Sequence, residues 1–363
     1  MPSFMTGLYI HIPFCRKKCV YCDFSSVPSV TGVPQSYVDV LAADMRRYRG
    51  EAIETVYIGG GTPSLLTSGQ IRAIGALISD TFDTTAVTEM TCEVNPESVT
   101  LETIAALRDI GVNRISMGLQ STDDAALRWL GRIHTAHEFE IAFRTVRNAG
   151  CDNIGIDLIY GLPGQTVDSW RSVLEKAIAF HPEHMSLYAL TIEPGTPLAE
   201  RKIIVDQDMQ ADMYEWAGKF LAANGFVQYE ISNWAKPGYE SRHNLIYWRG
   251  GRYIGIGAAA ASCDGRRRWV NERDGAQYTR LVQTDNNFVV DDECIEGPIR
   301  DAEHLMLGLR LTAGILVTDD IRMRHGGAFD QFITQGLMEM SGNNVRLTPR
   351  GMLVSNQVLR EFV

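Results

Sequence analysis

Residues 9–24 read YIHIPFCRKKCVYCDF and place Cys15, Cys19 and Cys22 in a C-x3-C-x2-C spacing. Thiolate ligands select iron–sulfur clusters or zinc. Three thiolates are one short of saturating a 4Fe-4S cluster, which leaves one iron free for chemistry. Zinc is the weaker alternative, because a structural zinc site closes with a fourth ligand from a second C-x2-C or H-x3-5-H pair and the sequence has neither. Three unrelated buried thiols would not explain this clustering. The triplet therefore predicts a 4Fe-4S cluster.

Short apolar segments alternate with helical patterns around this triplet. They lie at 8–12, 55–60, 89–95, 114–120, 153–161 and 185–192. Between the first two, Tyr37, Leu41 and Met45 line one helical face, and Ser36 with Asp39 resembles a capping box. Strands that are apolar on both faces are typical of parallel sheets, whose crossover connections are helices. We therefore predict an α/β fold with a partial (β/α)6 barrel.

Polar and glycine-rich residues end several of these strands. The run Gly59-Gly60-Gly61-Thr62-Pro63 follows the second strand, but no Gly-Lys-Ser/Thr follows it, so it is a poor phosphate loop. Four further polar side chains stand at or after later strand ends, namely Glu93, Gln120, Arg132 and Asp157. Each alone could belong to a structural ion pair. Together they indicate a ligand site at the carboxyl edge of the sheet.

These motifs resemble those of the radical S-adenosylmethionine (SAM) family, in which the cysteine triplet has an aromatic partner, here Tyr21. The resemblance implies a 4Fe-4S cluster on the three cysteines, with the amino and carboxylate groups of SAM chelating the fourth iron. The segment Gly60-Gly61-Thr62-Pro63 is similar to the family's GGTP segment, which contacts the SAM amino group. We expect SAM to bind there.

A closer resemblance, over nearly the whole chain, is to the HemN/HemW family of proteins related to oxygen-independent coproporphyrinogen III oxidase. In that branch the positions matching Glu93, Gln120, Arg132 and Asp157 bind the amino acid, ribose and carboxylate portions of SAM. Tyr9 resembles a further SAM or substrate contact. By strand alternation Tyr9 and His11 share one face, which we expect to point into the barrel.

The segment SRHNLIYWRGG at 241–251 contains His243, Asn244, Tyr247 and Trp248. Imidazole is a common axial ligand of heme iron and flat rings suit a porphyrin face, although the residues alone equally describe an aromatic cluster around a hydrogen-bonded histidine. With the family resemblance, the four residues match an H-N-x-x-Y-W heme-binding motif. Two departures from the oxidase pattern favour the heme-binding branch. Phe24 stands in place of a fourth cysteine, and only 14 residues precede Cys15.

Composition limits the other function classes. The 363 residues are 45% hydrophobic, with a formal net charge of −10, which argues against general nucleic-acid binding. No apolar run approaches the roughly 18 residues of a membrane span. Seven cysteines, an odd number, disfavour a disulfide scaffold and suit a reducing cytoplasm. The four remaining cysteines lack ligand spacing, so we expect packing roles for them. The pairs His134/His137 and His181/His184 have no acidic or thiol partner nearby in sequence, so we do not expect a metal there.

We divide the chain into a barrel at 1–235, a connecting segment with the heme motif at 236–290, and a small helical, winged-helix-like domain at 291–363. The resemblance implies that the last domain is a lid. The segment YIGIGAAAASCDG at 253–265 is expected to be a turn, less rich in glycine than in relatives. Its alanines put a second heme or substrate contact from this loop in doubt.

Two functional hypotheses remain from the sequence. The first is a cytoplasmic heme chaperone that binds a 4Fe-4S cluster, SAM and heme and hands heme to an acceptor hemoprotein, at a membrane surface or elsewhere. No catalytic residue is assigned in that case. The alternative is a radical SAM oxidoreductase that acts on a tetrapyrrole, such as a coproporphyrinogen III dehydrogenase or a heme-modifying enzyme. Either needs an electron donor for the cluster.

Overall fold

Seven parallel strands form the centre of the fold in a computed structural model, which describes residues 6–362. In chain order the strands are β1 Thr6–Ile12, β2 Phe14–Cys15, β3 Val27–Pro28, β4 Thr55–Gly60, β5 Glu89–Val94, β6 Arg114–Gln120, β7 Ile154–Tyr160, β8 His184–Ala189, β9 Val227–Glu230, β10 Asn233–Ala235, β11 Arg252–Ile256, β12 Ala261–Cys263, β13 Arg267–Asn271, β14 Val289–Cys294, β15 Ile315–Leu316, β16 Met338–Ser341 and β17 Asn344–Leu347. The main sheet has the order β14-β13-β12-β11-β1-β4-β5-β6-β7-β8-β10-β9.

Helices cover the outer face of this sheet and build the C-terminal region. They are α1 Gln35–Met45, α2 Ser68–Thr81, α3 Leu101–Asp109, α4 Asp124–Leu130, α5 Ala136–Asn148, α6 Val167–Ile178, α7 Pro197–Glu200, α8 Gln207–Ala223, α9 Arg242–Trp248, α10 Gly275–Gln283, α11 Pro298–Gly308, α12 Asp319–Thr334, α13 Pro349–Leu353 and α14 Ser355–Arg360. Among the described residues, no helix is both long and apolar enough to span a membrane.

Strand alternation separates the core from the interior of the barrel. In β1, Leu8, Ile10 and Ile12 are fully buried in the main hydrophobic core. The intervening Tyr9 and His11 point to the other face and line a cavity. The same alternation along the other parallel strands directs polar side chains inward.

A seventh parallel strand lies where the sequence predicted a turn. Residues 252–256 form β11, which pairs in parallel with β1, and residues 261–263 form β12, which pairs antiparallel with β11. Ile254 and Ile256 are buried, and this burial favours a strand over the expected turn. Only the connection between these strands turns, and there Gly257 adopts a φ of 104°.

The N-terminus of α1 also differs from the prediction. The capping residue is Pro34, and within residues 6–362 no side chain caps this helix, so the capping box of Ser36 and Asp39 is wrong. Proline at this position holds the chain extended before the first turn, with a φ of −61°.

Asp44 ties the last turn of α1 to the extended part of the sheet. Its carboxylate is 1% exposed and accepts hydrogen bonds from the Tyr278 hydroxyl at 2.5 Å and the Gly257 amide at 3.2 Å. Burial raises the pKa of Asp44 from 3.8 to about 6, although these two bonds oppose the rise. The folded state therefore binds this proton more tightly than the unfolded state.

We expect the Asp44→Asn variant to gain stability relative to the parent chain as pH rises. Because the pKa of Asp44 is higher in the folded state, the parent chain loses folding stability as the pH rises from 4 to 6, on the order of 2–3 kcal/mol. The side-chain amide of the variant does not titrate, so the variant does not lose this stability. Denaturant unfolding of both proteins between pH 4.5 and 8 measures the difference. Parallel pH profiles for the two proteins would contradict the assigned shift.

The C-terminal region has a hydrophobic core of its own. Leu305, Phe329, Val345 and Val358 lie at its centre. Strands β15, β17 and β16 form a three-stranded antiparallel sheet against helices α11 to α14, in a winged-helix-like arrangement. This region contacts the edge of the main sheet, since Arg310 forms an ion pair with the buried Glu230 of β9 at 3.2 Å.

Candidate functional site

The three predicted cluster ligands lie together at the carboxyl edge of the parallel strands. Cys15 ends β2, and Cys19 and Cys22 follow in the loop after it. All three line one cavity of about 330 Å³. The pKa values of the Cys15 and Cys22 thiols are raised by burial. Tyr21, the predicted aromatic partner, lines the same cavity.

The glycine-rich turn after β4 is pressed against the cysteine strand. The Gly61 amide donates to the Ile12 carbonyl at 2.9 Å, and the Thr62 amide donates to the Phe14 carbonyl at 2.8 Å. A Cβ at Gly61 would meet the Phe14 carbonyl oxygen at 2.7 Å, so only glycine fits there. Gly60, Gly61 and Thr62 all face the cavity.

A chain of hydrogen bonds connects two of the thiols through Asn95. The Thr62 hydroxyl donates to Cys15 Sγ at 3.4 Å and accepts from Asn95 Nδ2 at 2.8 Å. On its other side, Asn95 Oδ1 accepts from Arg132 Nη2 at 2.7 Å, and Arg132 Nη1 lies 3.8 Å from Cys19 Sγ. Sequence reasoning missed Asn95. Alternation along β5 places it on the same face as Glu93, a signal that could have identified it.

Glu93 positions the glycine-rich turn. Its carboxylate accepts from the Gly60 amide at 2.9 Å and from the Tyr57 hydroxyl at 2.7 Å. Burial raises the pKa of Glu93 to about 7, although both bonds oppose the rise. Glu93 therefore links the turn to the wall of the cavity and binds a proton more readily than an exposed carboxylate does.

Gln120 and Asp157 complete the predicted set on the two next strands. Gln120 ends β6 with a φ of 66°, at an irregularity in its pairing with β7. Such left-handed backbone in a residue other than glycine is costly and is often found at ligand sites. Asp157 accepts from the Ser116 hydroxyl at 3.2 Å, and burial raises its pKa. Both residues line the cavity of the cysteines.

A second cavity of about 500 Å³ adjoins the first, and both have Phe24, Gly60 and Glu93 in their walls. Five Phe, Tyr and Trp side chains line it, namely Tyr9, Phe24, Tyr247, Trp248 and Tyr253. Trp248 Nε1 is buried and lacks a hydrogen-bond partner in the part of the chain that the structure describes. A flat ligand with acceptor groups suits these walls.

The four residues of the predicted heme motif separate in the structure. Tyr247 and Trp248 line the second cavity, whereas Asn244 lines the first. His243 is 1% exposed, and its two ring nitrogens lie 2.8 Å from the Thr55 and Tyr247 hydroxyls. Burial and the charge of Arg114 lower the pKa of His243 to about 3. The imidazole is thus a neutral, hydrogen-bonded support behind Tyr247.

The residues present fit the groups that the sequence implies. Three thiols facing one space suit a 4Fe-4S cluster, because each thiolate binds a different iron. Over residues 6–362, no three His, Cys, Asp or Glu side chains converge as a group that could hold a metal ion. The aromatic walls of the second cavity suit a flat ring such as a tetrapyrrole.

Comparisons with known proteins agree with this architecture. The Radical SAM superfamily matches residues 9–177. The chain is 34% identical to the heme chaperone HemW of Lactococcus lactis, over 98% of this chain and 96% of that protein. It is also 34% identical to the heme chaperone HemW of Escherichia coli, over 98% of each.

A solved structure, that of the coproporphyrinogen III oxidase HemN from Escherichia coli, superposes with a TM-score of 0.85 over 100% of this chain and 91% of that chain. At 22% identity this likeness shows the fold alone. The predicted α/β partial barrel with a small C-terminal helical domain is confirmed.

Proposed function

Because this chain belongs to the HemW family within the radical SAM superfamily, we propose that it is a heme chaperone that binds a 4Fe-4S cluster, SAM and heme and transfers heme to an acceptor hemoprotein. The observation that carries the proposal is the pair of adjoining cavities. One presents three thiols and the other presents the rings of five Phe, Tyr and Trp residues, with Gly60 and Glu93 in both walls.

The first cavity is proposed to hold the cluster and SAM. Cys15, Cys19 and Cys22 would ligate three irons, and the cluster supplies an open iron site and an electron when it is bound. Donors and acceptors for SAM would come from Gly60, Gly61, Thr62, Glu93, Gln120, Arg132 and Asp157. Arg132 spans Asn95 and Cys19, so it also fixes the loop that carries the thiols.

The second cavity is proposed to hold heme. Tyr247 and Trp248 would supply flat walls for the ring. Glu303 and Leu307 of α11 also line this cavity, which supports a lid role for the C-terminal domain. His243 would orient Tyr247 through their 2.8 Å hydrogen bond rather than face the cavity.

A radical SAM oxidoreductase acting on a tetrapyrrole is the second candidate. The adjacency of the two cavities favours it, because a ring in the second cavity would lie beside SAM in the first. Phe24 argues against it, since the oxidase pattern has a cysteine there and Phe24 is exposed at the junction of the cavities. Turnover of coproporphyrinogen III by the reconstituted protein would favour this candidate.

An anaerobic optical titration of the reconstituted protein with hemin tests the chaperone proposal. We expect saturation at about one heme per chain, and a Trp248→Leu variant should bind about tenfold more weakly because it loses an aromatic wall. His243→Gln should weaken binding less, since its effect passes through Tyr247.

His137→Ala is the matched control, because His137 is exposed and lies outside both cavities. This variant should titrate like the parent chain. Binding without saturation, or equal binding by the Trp248→Leu variant and the parent, would contradict the heme site. Thermal unfolding of each variant separates loss of binding from loss of structure.

A further inference from the structure

Three side chains form a row across the inner face of the sheet, beside the second cavity. Tyr253 of β11 pairs directly with Cys263 of β12, which pairs in turn with Arg268 of β13. Residues paired across neighbouring strands point to the same face, and all three line the second cavity. Cys263 is 7% exposed, and among residues 6–362 it is the only cysteine in the wall of this cavity. The sequence predicted only a packing role for it.

The wall around Cys263 is built from small side chains. Ala259 and Ala261 precede it at alternate positions and line the same cavity, so this stretch presents two methyl groups and one thiol. Beside it, the Tyr253 ring packs edge to face against Tyr247 of α9, with ring centroids 4.7 Å apart. A flat ring can therefore approach this wall closely, and the thiol is the group among the three small side chains that can bind a metal.

Five side chains in the wall of the second cavity belong to residue types that ligate heme iron. Among the described residues they are Tyr9, His11, Tyr247, Tyr253 and Cys263. Burial lowers the pKa of His11, so its imidazole is neutral. Its Nε2 donates to the Ser25 carbonyl at 2.8 Å, because a carbonyl can only accept, and its Nδ1 then accepts from the Tyr9 hydroxyl at 2.8 Å. The His11 lone pair and the Tyr9 proton are both engaged.

Tyr247 is held by the histidine of the predicted heme motif. Its hydroxyl lies 2.8 Å from His243 Nε2, and His243 Nδ1 lies 2.8 Å from the Thr55 hydroxyl. Both nitrogens of this imidazole are thus engaged, and His243 does not line the cavity. Tyr253 and Cys263 are the two candidates that remain.

The Cys263 thiol is the better iron ligand of these two. A thiol loses its proton more readily than a phenol, with ordinary pKa values of about 8.5 and about 10, and burial raises the pKa of both groups here. The Gly265 amide donates to Cys263 Sγ at 3.4 Å, and such a bond stabilises a thiolate. The Arg268 guanidinium lowers the pKa of Cys263, whereas Glu303 and Asp264 raise it. A metal that binds the sulfur removes the proton outright.

We propose that Cys263 is the axial ligand of a ferric heme in the second cavity, through a bond between its thiolate sulfur and the iron. The proposal rests on the heme binding proposed above and names the side chain that holds the iron. The thiol proton passes to solvent as the bond forms, and the iron stays ferric. His243 then supports the cavity wall through Tyr247 and does not bind the iron.

Electron paramagnetic resonance and optical spectra of the ferric heme test this ligand directly, because a thiolate gives signatures that differ from those of nitrogen and oxygen ligands. The full-length protein is reconstituted with its cluster, freed of exogenous thiols and given less than one hemin per chain. The oxidised 4Fe-4S cluster is diamagnetic, so it does not contribute to the resonance. We expect a thiolate signature in the parent chain.

Three variants place the ligand. Cys263→Ser should lose the thiolate signature and bind hemin at least about tenfold more weakly. Tyr253→Phe keeps the ring and removes the hydroxyl, so it should retain the thiolate signature. Cys294→Ser is the matched control and should behave like the parent chain, because Cys294 is an exposed cysteine outside both cavities. Thermal unfolding of each variant shows whether it is folded.

A parent spectrum without thiolate ligation would overturn the assignment, and that measurement needs no variant. A thiolate signature that persists in Cys263→Ser would overturn it as well, because another thiol would then bind the iron. In both cases saturable hemin binding would leave the chaperone proposal standing. Absence of saturable hemin binding to the parent chain would contradict the chaperone proposal and the ligand assignment together.

Discussion

The Cys19→Ala variant is expected to retain neither iron nor sulfide after anaerobic reconstitution. Cys19 is the central thiol of the triplet, and it lies between Cys22, whose amide donates to the Cys19 carbonyl at 3.3 Å, and Arg132, 3.8 Å from its sulfur. Two remaining thiols cannot hold three irons of a cube. Iron and sulfide per chain should fall from about four each to background, and the visible absorption of the cluster should disappear with them.

Cys294→Ala provides the control, because Cys294 is an exposed thiol outside both cavities. This variant should reconstitute like the parent chain. An unchanged iron and sulfide content in Cys19→Ala would rule out the cluster assignment for the triplet. A loss of iron in both variants would instead indicate nonspecific binding to free thiols.

The Glu93→Ala variant is expected to bind SAM about 10- to 100-fold more weakly than the parent chain. The carboxylate holds the Gly60 amide at 2.9 Å and the Tyr57 hydroxyl at 2.7 Å, so its removal releases the glycine-rich turn and leaves two buried donors unpaired. Each hydrogen bond to a charged group contributes about 1.5–3 kcal/mol, and one such loss accounts for this range. Calorimetry on the reconstituted protein measures the dissociation constant.

Glu140→Ala serves as the comparison, since Glu140 lies on the solvent side of α5 in an exposed pair with Arg144. It should leave SAM binding unchanged. A Glu93→Ala dissociation constant equal to that of the parent would refute the SAM role of the turn. Iron content should be measured on each sample, because SAM binding requires the cluster to be present.

Much of this fold was accessible from the sequence because strand periodicity and strand-end residues are local signals. The six segments between 8 and 192 predicted the parallel strands, and Glu93, Gln120 and Asp157 lie in the cavity of the cysteines. Glycine and polar residues directly after apolar strands carry this information, because parallel strands bring their carboxyl ends to one edge.

What the sequence did not reveal depends on pairing between distant residues. β11 is a strand because β1 lies beside it, and its own residues, rich in glycine and followed by alanines, predict a turn. The residues around His243 were compatible with either a heme ligand or a hydrogen-bonded histidine in an aromatic cluster, and only the folded chain shows the ring between Thr55 and Tyr247. Asn95 makes its contacts with Thr62 and Arg132 only because distant segments meet, although its alternation with Glu93 was a local signal for its position.

The position of β1 in the sheet has a consequence for how the chain folds during synthesis. One edge of β1 pairs with β4, which follows within about fifty residues. The other edge of β1 pairs with β11 at residues 252–256, which is synthesised much later. Until the ribosome has released that segment, the β1 backbone next to the cluster loop remains an unpaired strand edge, a template for association with other chains. We therefore expect chaperones to bind nascent chains that are shorter than about 256 residues. The sheet should close only after that segment has been synthesised.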